Sequence, residues 1–210
     1  MSKIQIDLET WKRRDHFRFF NGFSEPFFGV TVRVNVTKAW QAAKESRHSF
    51  FLTYLHQSLK AANETEAFRY RIEKEAVFLH DLIHASPTIN RPDGTFGFAY
   101  MDYHPDFTTF ATKAAVEIQR VRTASGLELR TGHANIVHVS TLPTLNFTGL
   151  SHARHFAFQD SIPKITFGQM TGPTHHKEMP ISLHLHHGLA DAYDVGLFVG
   201  TFQNLLDTTS

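Results

Sequence analysis

Two segments far apart in the chain alternate apolar and polar residues with a period of two, and between them lie segments with helical spacing. From Phe27 to Val36, Val30, Val32, Val34 and Val36 alternate with Thr31, Arg33 and Asn35, the pattern of a half-buried strand. From Met179 to His187, Ile181, Leu183 and Leu185 alternate with Ser182, His184 and His186, so the two sets face opposite ways. Strands and helices are intermixed without a linker, a repeat or a low-complexity tract. The pattern predicts an α/β fold, a single mixed-sheet domain with flanking helices over residues 1–210.

The helical segments are read from apolar spacing. Over Asp7 to Phe20, Leu8, Trp11 and Phe19 with charges between them give a loose helix followed by an aromatic segment. Thr37 is a weak cap for a helix over Ala39 to Ser46. Phe51, Leu52, Leu55, Leu59 and Ala62 define an amphipathic helix over Ser49 to Asn63. Phe107 to Ser125 reads as the longest helix, with Phe110, Ala114, Ile118 and Val121 on one face, and a last helix falls within Ala190 to Leu206. Further strands are expected at Phe68 to Leu79, Thr95 to Tyr103, Asn135 to Ser140 and Ile162 to Met170. The first two of these are separated by the turn signal Asn90-Arg91-Pro92-Asp93-Gly94.

Composition narrows the function. There is no cysteine in 210 residues, which removes a thiolate nucleophile, a zinc finger, a redox pair and an iron–sulfur cluster. A chain of this length buries enough surface to fold without such staples. The formal net charge of +1 and a longest basic cluster of Lys12, Arg13 and Arg14 argue against nucleic acid as a partner. The charged N-terminal stretch is unlike a secretory signal, and no apolar run suits a membrane span, so the expected location is cytoplasmic, without membrane association. The sequons at Asn35, Asn63 and Asn146 are chance matches on that reading. Two skews remain, 20 phenylalanines against five tyrosines and two tryptophans, and 15 histidines. The first suggests core volume or an apolar pocket.

The densest polar cluster is His184-Leu185-His186-His187-Gly188-Leu189-Ala190-Asp191, at a strand end before the last helix, where open α/β sheets place ligands. Three readings stand side by side. The histidines are satisfied structural residues; or His184 and His186 share a face as metal ligands with Asp191 or Asp194; or one imidazole is a general base for a hydroxyl. Gly149-Leu150-Ser151-His152-Ala153 only partly imitates a nucleophile elbow. His152, His155, His175 and His176 have no metal-ligand spacing and read as solvated loop residues.

His186-His187-Gly188-Leu189-Ala190-Asp191-Ala192 resembles the His-His-x-x-x-Asp-Gly signature of the coenzyme A-dependent acyltransferases. Other segments narrow the resemblance to the chloramphenicol acetyltransferase family. They are Trp11 to Phe17, Phe68 to Ile72, Thr95-Phe96, Leu142-Pro143 through Phe147-Thr148, Pro163 to Thr166 and Met179 to Ser182, all in that family's order. The resemblance covers essentially the whole chain and implies the coenzyme A-dependent acyltransferase fold. It implies O-acetyl transfer from acetyl-CoA, the cosubstrate, to a small hydroxyl acceptor such as chloramphenicol, with no metal and no acyl-enzyme. His187 is implied as general base, Asp191 as a structural partner of Arg13, and Thr166 as the holder of a water near the tetrahedral intermediate. Phe19, Phe20 and Phe96 are implied to line the acceptor pocket, and a homotrimer is implied, with acceptor and coenzyme A meeting at subunit interfaces.

The departures bear on activity. Where that family carries an oxyanion-binding serine after its Phe-x, this reading places Gly149, so either Thr148 or a backbone N–H takes the role, or turnover is reduced. Phe20 replaces a tyrosine, Ala192 replaces the glycine of the signature, and Met170 to Lys177 has no counterpart from which coenzyme A contacts could be carried over. A second reading follows, a small-molecule binding protein on the same fold with little transfer activity.

Overall fold

The computed structural model describes residues 2–127, 134–155 and 159–209. The period-two segments form the longest strands: β2 (Phe27–Asn35) and β9 (Glu178–His186) pair antiparallel along their whole length, from Phe27 opposite His186 to Asn35 opposite Glu178. Before β2 come β1 (Lys3–Gln5) and α1 (Arg14–Phe20); after it come α2 (Thr37–Glu45) and α3 (Phe50–Glu64). A 3-10 turn over Glu66–Arg69 then leads into β3 (Tyr70–Glu73), β4 (Ala76–His80), β5 (His84–Asn90), β6 (Phe96–Phe98) and α4 (Phe107–Thr123). Next are β7 (Ile136–Thr141) and β8 (Lys164–Phe167), and α5 (Ala192–Asp207) follows β9. Among the described residues, no helix is long and apolar enough to cross a membrane.

The main sheet has the order β2-β9-β8-β7-β5-β6. β8, β7 and β5 run parallel, and the pairs β2–β9, β9–β8 and β5–β6 are antiparallel, so the sheet is mixed. One face carries Val30, Leu183, Ile165 and Val139, register partners or near partners that join the core with Leu55, Leu59, Phe68, Phe198 and Phe202 of the helical layer. The other face is polar. Thr31, Ser182, Thr166 and Ser140 form one row across four strands, and Gly29, His184, Lys164, His138 and Ser86 form the next across five. A second sheet, β1-β4-β3, closes over a smaller cluster of Trp11, Phe17, Tyr70, Ile72, Val77 and Leu189. Arg71 is fully buried between the sheets, where its guanidinium donates to the carbonyls of Phe68, Tyr70, Ala134 and Ile136. Burial pushes its pKa down to about 9.

Several expectations are corrected. Phe68 to Leu79 is a hairpin whose turn runs through Lys74 and Glu75 at φ 48° and 67°, a left-handed turn made without glycine or asparagine. The Asn90–Gly94 signal does mark a hairpin, but its first strand is β5, which carries Pro87 and was not anticipated. Thr37 is inside α2 rather than its cap: Val36 precedes the helix without a side-chain bond, and Thr37 Oγ1 instead accepts from the Lys177 N–H. The helix at the N-terminus is confined to Arg14–Phe20. Ser49 caps α3 and Asp106 caps α4, each accepting from the N–H three residues on.

Candidate active site

His187 follows the end of β9, on a turn held from several sides. Its N–H donates to the Pro26 carbonyl at 2.8 Å, and Gly188 N–H donates to His186 Nδ1 at 3.1 Å. Leu189 is buried in the smaller cluster and Ala190 in the main core, so the turn is pinned to both. A Cβ on Gly188 would lie 3.1 Å from His186 Cε1 and 3.2 Å from Phe17 Cα, so a side chain at 188 would press the His186 ring and α1 back by a few tenths of an ångström. His187 itself is half-buried. Its Nδ1 is 3.2 Å from the Ala190 carbonyl, and its ring stacks on Phe20 at 4.0 Å and 8° and leans on Phe28 at 4.6 Å.

Arg13 fixes the turn from outside. Its Nη1 is 2.7 Å from Asp191 Oδ2 and 3.6 Å from Asp194 Oδ2, and its Nη2 donates to the His187 carbonyl at 3.3 Å. Asp191 also caps α5, accepting from Tyr193 N–H while its own N–H donates to Asp194 Oδ2. The hydrogen bond from Arg13 holds the Asp191 carboxyl below the usual aspartate range against the opposing effect of burial. His186 is buried and pushed to about 4 by that burial, with Arg154 adding to it. Both aspartates are turned to Arg13, and among the described residues no group of three or more His, Asp or Glu could hold a metal ion.

The remaining sequence-identified residues lie elsewhere. Thr166 sits on β8 opposite Ser182 of β9. His187 is five residues past Ser182, about 16 Å along the strand direction at roughly 3.3 Å per residue. Phe96 is on β6, four strands from β9, or about 19 Å at a strand spacing of about 4.8 Å. Phe19 is 63% exposed and meets Phe20 and Phe23 at 5.0 Å each, beside His187. Thr148 and Gly149 lie exposed on the β7–β8 connection, and a Cβ on Gly149 would meet nothing within 4 Å. One chain therefore brings together His187, Arg13, Asp191, Phe19 and Phe20, and leaves Thr166, Thr148 and Phe96 outside that cluster.

Two residues that the sequence reading missed stand beside Thr166. Ser140 on β7 is its register partner and half-buried. His152, expected as a solvated loop residue, is half-buried with Nε2 3.3 Å from Thr166 Oγ1. Ser140 ends the short β7 pattern, and that position in the strand was its available signal. On the helical side of the sheet a cavity of about 480 Å³ opens between α3, α4 and the ends of β5 and β7, with Ser49, Phe51, Asn90, Arg122 and Thr141 in its lining.

Known proteins share this architecture. The truncated catalytic core of a 2-oxoacid dehydrogenase multienzyme complex from Thermoplasma acidophilum matches 95% of this chain and 96% of its own at a TM-score of 0.67 and 14% identity, a likeness of fold. A solved chloramphenicol acetyltransferase matches 98% of this chain and 100% of its own at a TM-score of 0.91 and 31% identity. Fold and sequence thus define an acyltransferase. The chloramphenicol acetyltransferase of Streptomyces acrimycini is 28% identical over 204 residues, 96% of this chain and 93% of that protein. The enzyme of that name from Staphylococcus aureus is 23% identical over 210 residues, 99% of this chain and 97% of that protein. The model of the chloramphenicol acetyltransferase family matches residues 1–203, and the chain belongs to that family.

Proposed function

We propose that the chain transfers acetyl from acetyl-CoA directly to a hydroxyl of chloramphenicol or a similar small, mostly apolar acceptor, with His187 as the general base. The observation that carries this is the orientation of one ring. A carbonyl oxygen only accepts, so the contact with Ala190 puts the His187 proton on Nδ1 and leaves the lone pair on Nε2. Nε2 takes the acceptor's hydroxyl proton, and the oxygen attacks the thioester carbonyl. The tetrahedral oxyanion collapses with cleavage of the C–S bond, and the leaving thiolate takes the proton back from the imidazolium. His186, buried and with Nδ1 already accepting from Gly188, is not available for this work. Arg13 and Asp191 are structural support, because together they hold the carbonyl of His187 and the start of α5.

Thr166 and Phe96 are too far from His187 to act with it in one chain, and this separation supports a homotrimer in which a neighbouring subunit presents them. Heterologous contacts that close into a ring bring one surface of each chain against a different surface of the next. On this reading Phe19 and Phe20 form one wall of the acceptor pocket, and Phe96 and Thr166 belong to the facing half. Ser140, in register with Thr166, is a better-placed oxyanion donor than exposed Thr148. Acetyl-CoA is an intracellular metabolite, which puts the reaction in the cytoplasm, where acetylating an antibiotic would confer resistance.

The test is release of free coenzyme A from acetyl-CoA with a panel of hydroxylated antibiotics. Release is expected with at least one of them, and His187→Ala is expected to lower it by about 10²- to 10⁴-fold with the fold intact. A folded His187→Ala retaining a tenth of the rate overturns the assignment. No release with any acceptor favours a binding protein on the same fold.

A further inference from the structure

Outside the His187 cluster, buried polar chemistry is densest on the polar face of the main sheet, and one contact there is unaccounted for. Thr166 is fully buried, and the side chain its hydroxyl meets is His152, with Nε2 at 3.3 Å. The His152 ring stands edge-on to His184 at 4.8 Å. Gly29, opposite His184, leaves the space that the His184 ring fills, since a Cβ there would come within 2.5 Å of His184 Nε2. Thr166 can give its one hydroxyl proton to His152 Nε2, and in that tautomer the proton of the neutral ring is on Nδ1. Burial keeps the ring neutral, with a pKa pushed down to about 4, and His184, Lys164, His138 and Arg154 all act in the same direction. The outcome is an N–H donor on a half-buried ring, backed by a hydroxyl that solvent does not reach.

We propose that His152 is a specificity-determining residue of the acceptor site, donating a hydrogen bond from Nδ1 to an acceptor group of the substrate away from the reacting hydroxyl. This rests on the reading above that Thr166 belongs to the acceptor half of the site. Thr166 is sealed and His152 is not, so the imidazole is what this pair presents. On that reading the facing half of the site carries Phe19 and Phe20, which offer no hydrogen bond. The substrate class is therefore an amphipathic alcohol, with an apolar body against Phe19 and Phe20 and a carbonyl or nitro oxygen at His152. A site built to hydrogen-bond such a group rejects the analogue lacking it, because its own donor is then left unpaired.

The experiment compares kcat/KM for chloramphenicol and for two analogues, one lacking the nitro group and one lacking the amide carbonyl, in wild type, His152→Leu, His152→Gln and His187→Ala. Ratios between acceptors within one variant do not depend on how much of it is folded. His152→Leu is expected to lower kcat/KM about tenfold for chloramphenicol and for one analogue, mainly through KM, and to leave the other analogue nearly unchanged. His152→Gln, which keeps an N–H, is expected to restore most of the discrimination. If His152→Leu changes all three acceptors by one factor, or none of them, the proposal is overturned and the acetyl-transfer reading stands. If wild type turns over none of the three, or a folded His187→Ala remains active, that underlying reading falls and the proposal with it.

Discussion

Arg13 and Asp191 lie 178 residues apart in sequence and 2.7 Å apart in space, and the same guanidinium also holds the carbonyl of His187. Losing Arg13 leaves the partly buried Asp191 charge without its partner, and losing Asp191 leaves Arg13 only the longer contact to Asp194 at 3.6 Å. Arg13→Ala and Asp191→Ala are each expected to cost about 2 kcal/mol of stability, less than a fully buried pair because the Asp191 side chain is 35% exposed. Each should also lower kcat more than it raises KM, since His187 loses its support. Chemical denaturation with parallel kinetics reads both; a double variant no worse than either single one is the expected coupling.

Ser140 and Thr148 offer competing hydroxyls for the oxyanion. Ser140→Ala is expected to reduce kcat by about 10²- to 10³-fold with KM little changed, the signature of a contact made only in the transition state. Thr148→Val should have little effect, since Thr148 is exposed. Gly149→Ser should be neutral in stability because a side chain there meets open space. Steady-state kinetics showing the loss at Thr148 and not at Ser140 would reverse the choice.

His138, His152 and His186 each titrate at about 4, with burial the leading cause. Their ordinary value is about 6.5, so between about pH 6.5 and 4 the unfolded chain binds protons that the folded chain refuses. Stability therefore falls as pH drops through that window and is insensitive to these groups above it. Melting temperature measured from pH 8 to 4.5 should be level at first and then decline, and His138→Gln should make the decline shallower. A melting temperature that is flat to pH 4.5 would contradict this.

What the sequence disclosed follows from the range of the interactions involved. β2 and β9 were legible because each strand has one face in the core, and α3 and α4 because their spacing agrees with caps at Ser49 and Asp106, although neither was singled out as a cap. β1 was not legible: all three of its residues are exposed, so burial leaves no period to read. The β3–β4 turn was hidden because Lys74 and Glu75 take left-handed angles without the usual turn residues. β5 was masked by Pro87, whose carbonyl nevertheless accepts from Ala99 N–H at the start of the β6 pairing. In the site, the contact of His187 with Ala190 is local to one motif, but the approach of Arg13 was carried only by resemblance to a family. The burial of His152 depends on Thr166 and His184, neither of which is near it in a repeating pattern. Sequence order also gave no sign that Thr166 and His187 are about 16 Å apart along the sheet, the separation on which the proposed two-chain site rests.

That site makes a direct demand on mixtures. His187→Ala destroys one half, and the double variant Ser140→Ala/Thr166→Val impairs the other. Each protein alone should be nearly inactive. If His187 works against Ser140 and Thr166 of a neighbouring chain, unfolding the two together and refolding an equal mixture should restore activity, because about a quarter of randomly assembled sites pair two intact halves. Coenzyme A release rising to about that fraction of the wild-type rate is the predicted result. A mixture no more active than the mean of its two components would place His187, Ser140 and Thr166 in one chain's site and contradict the account.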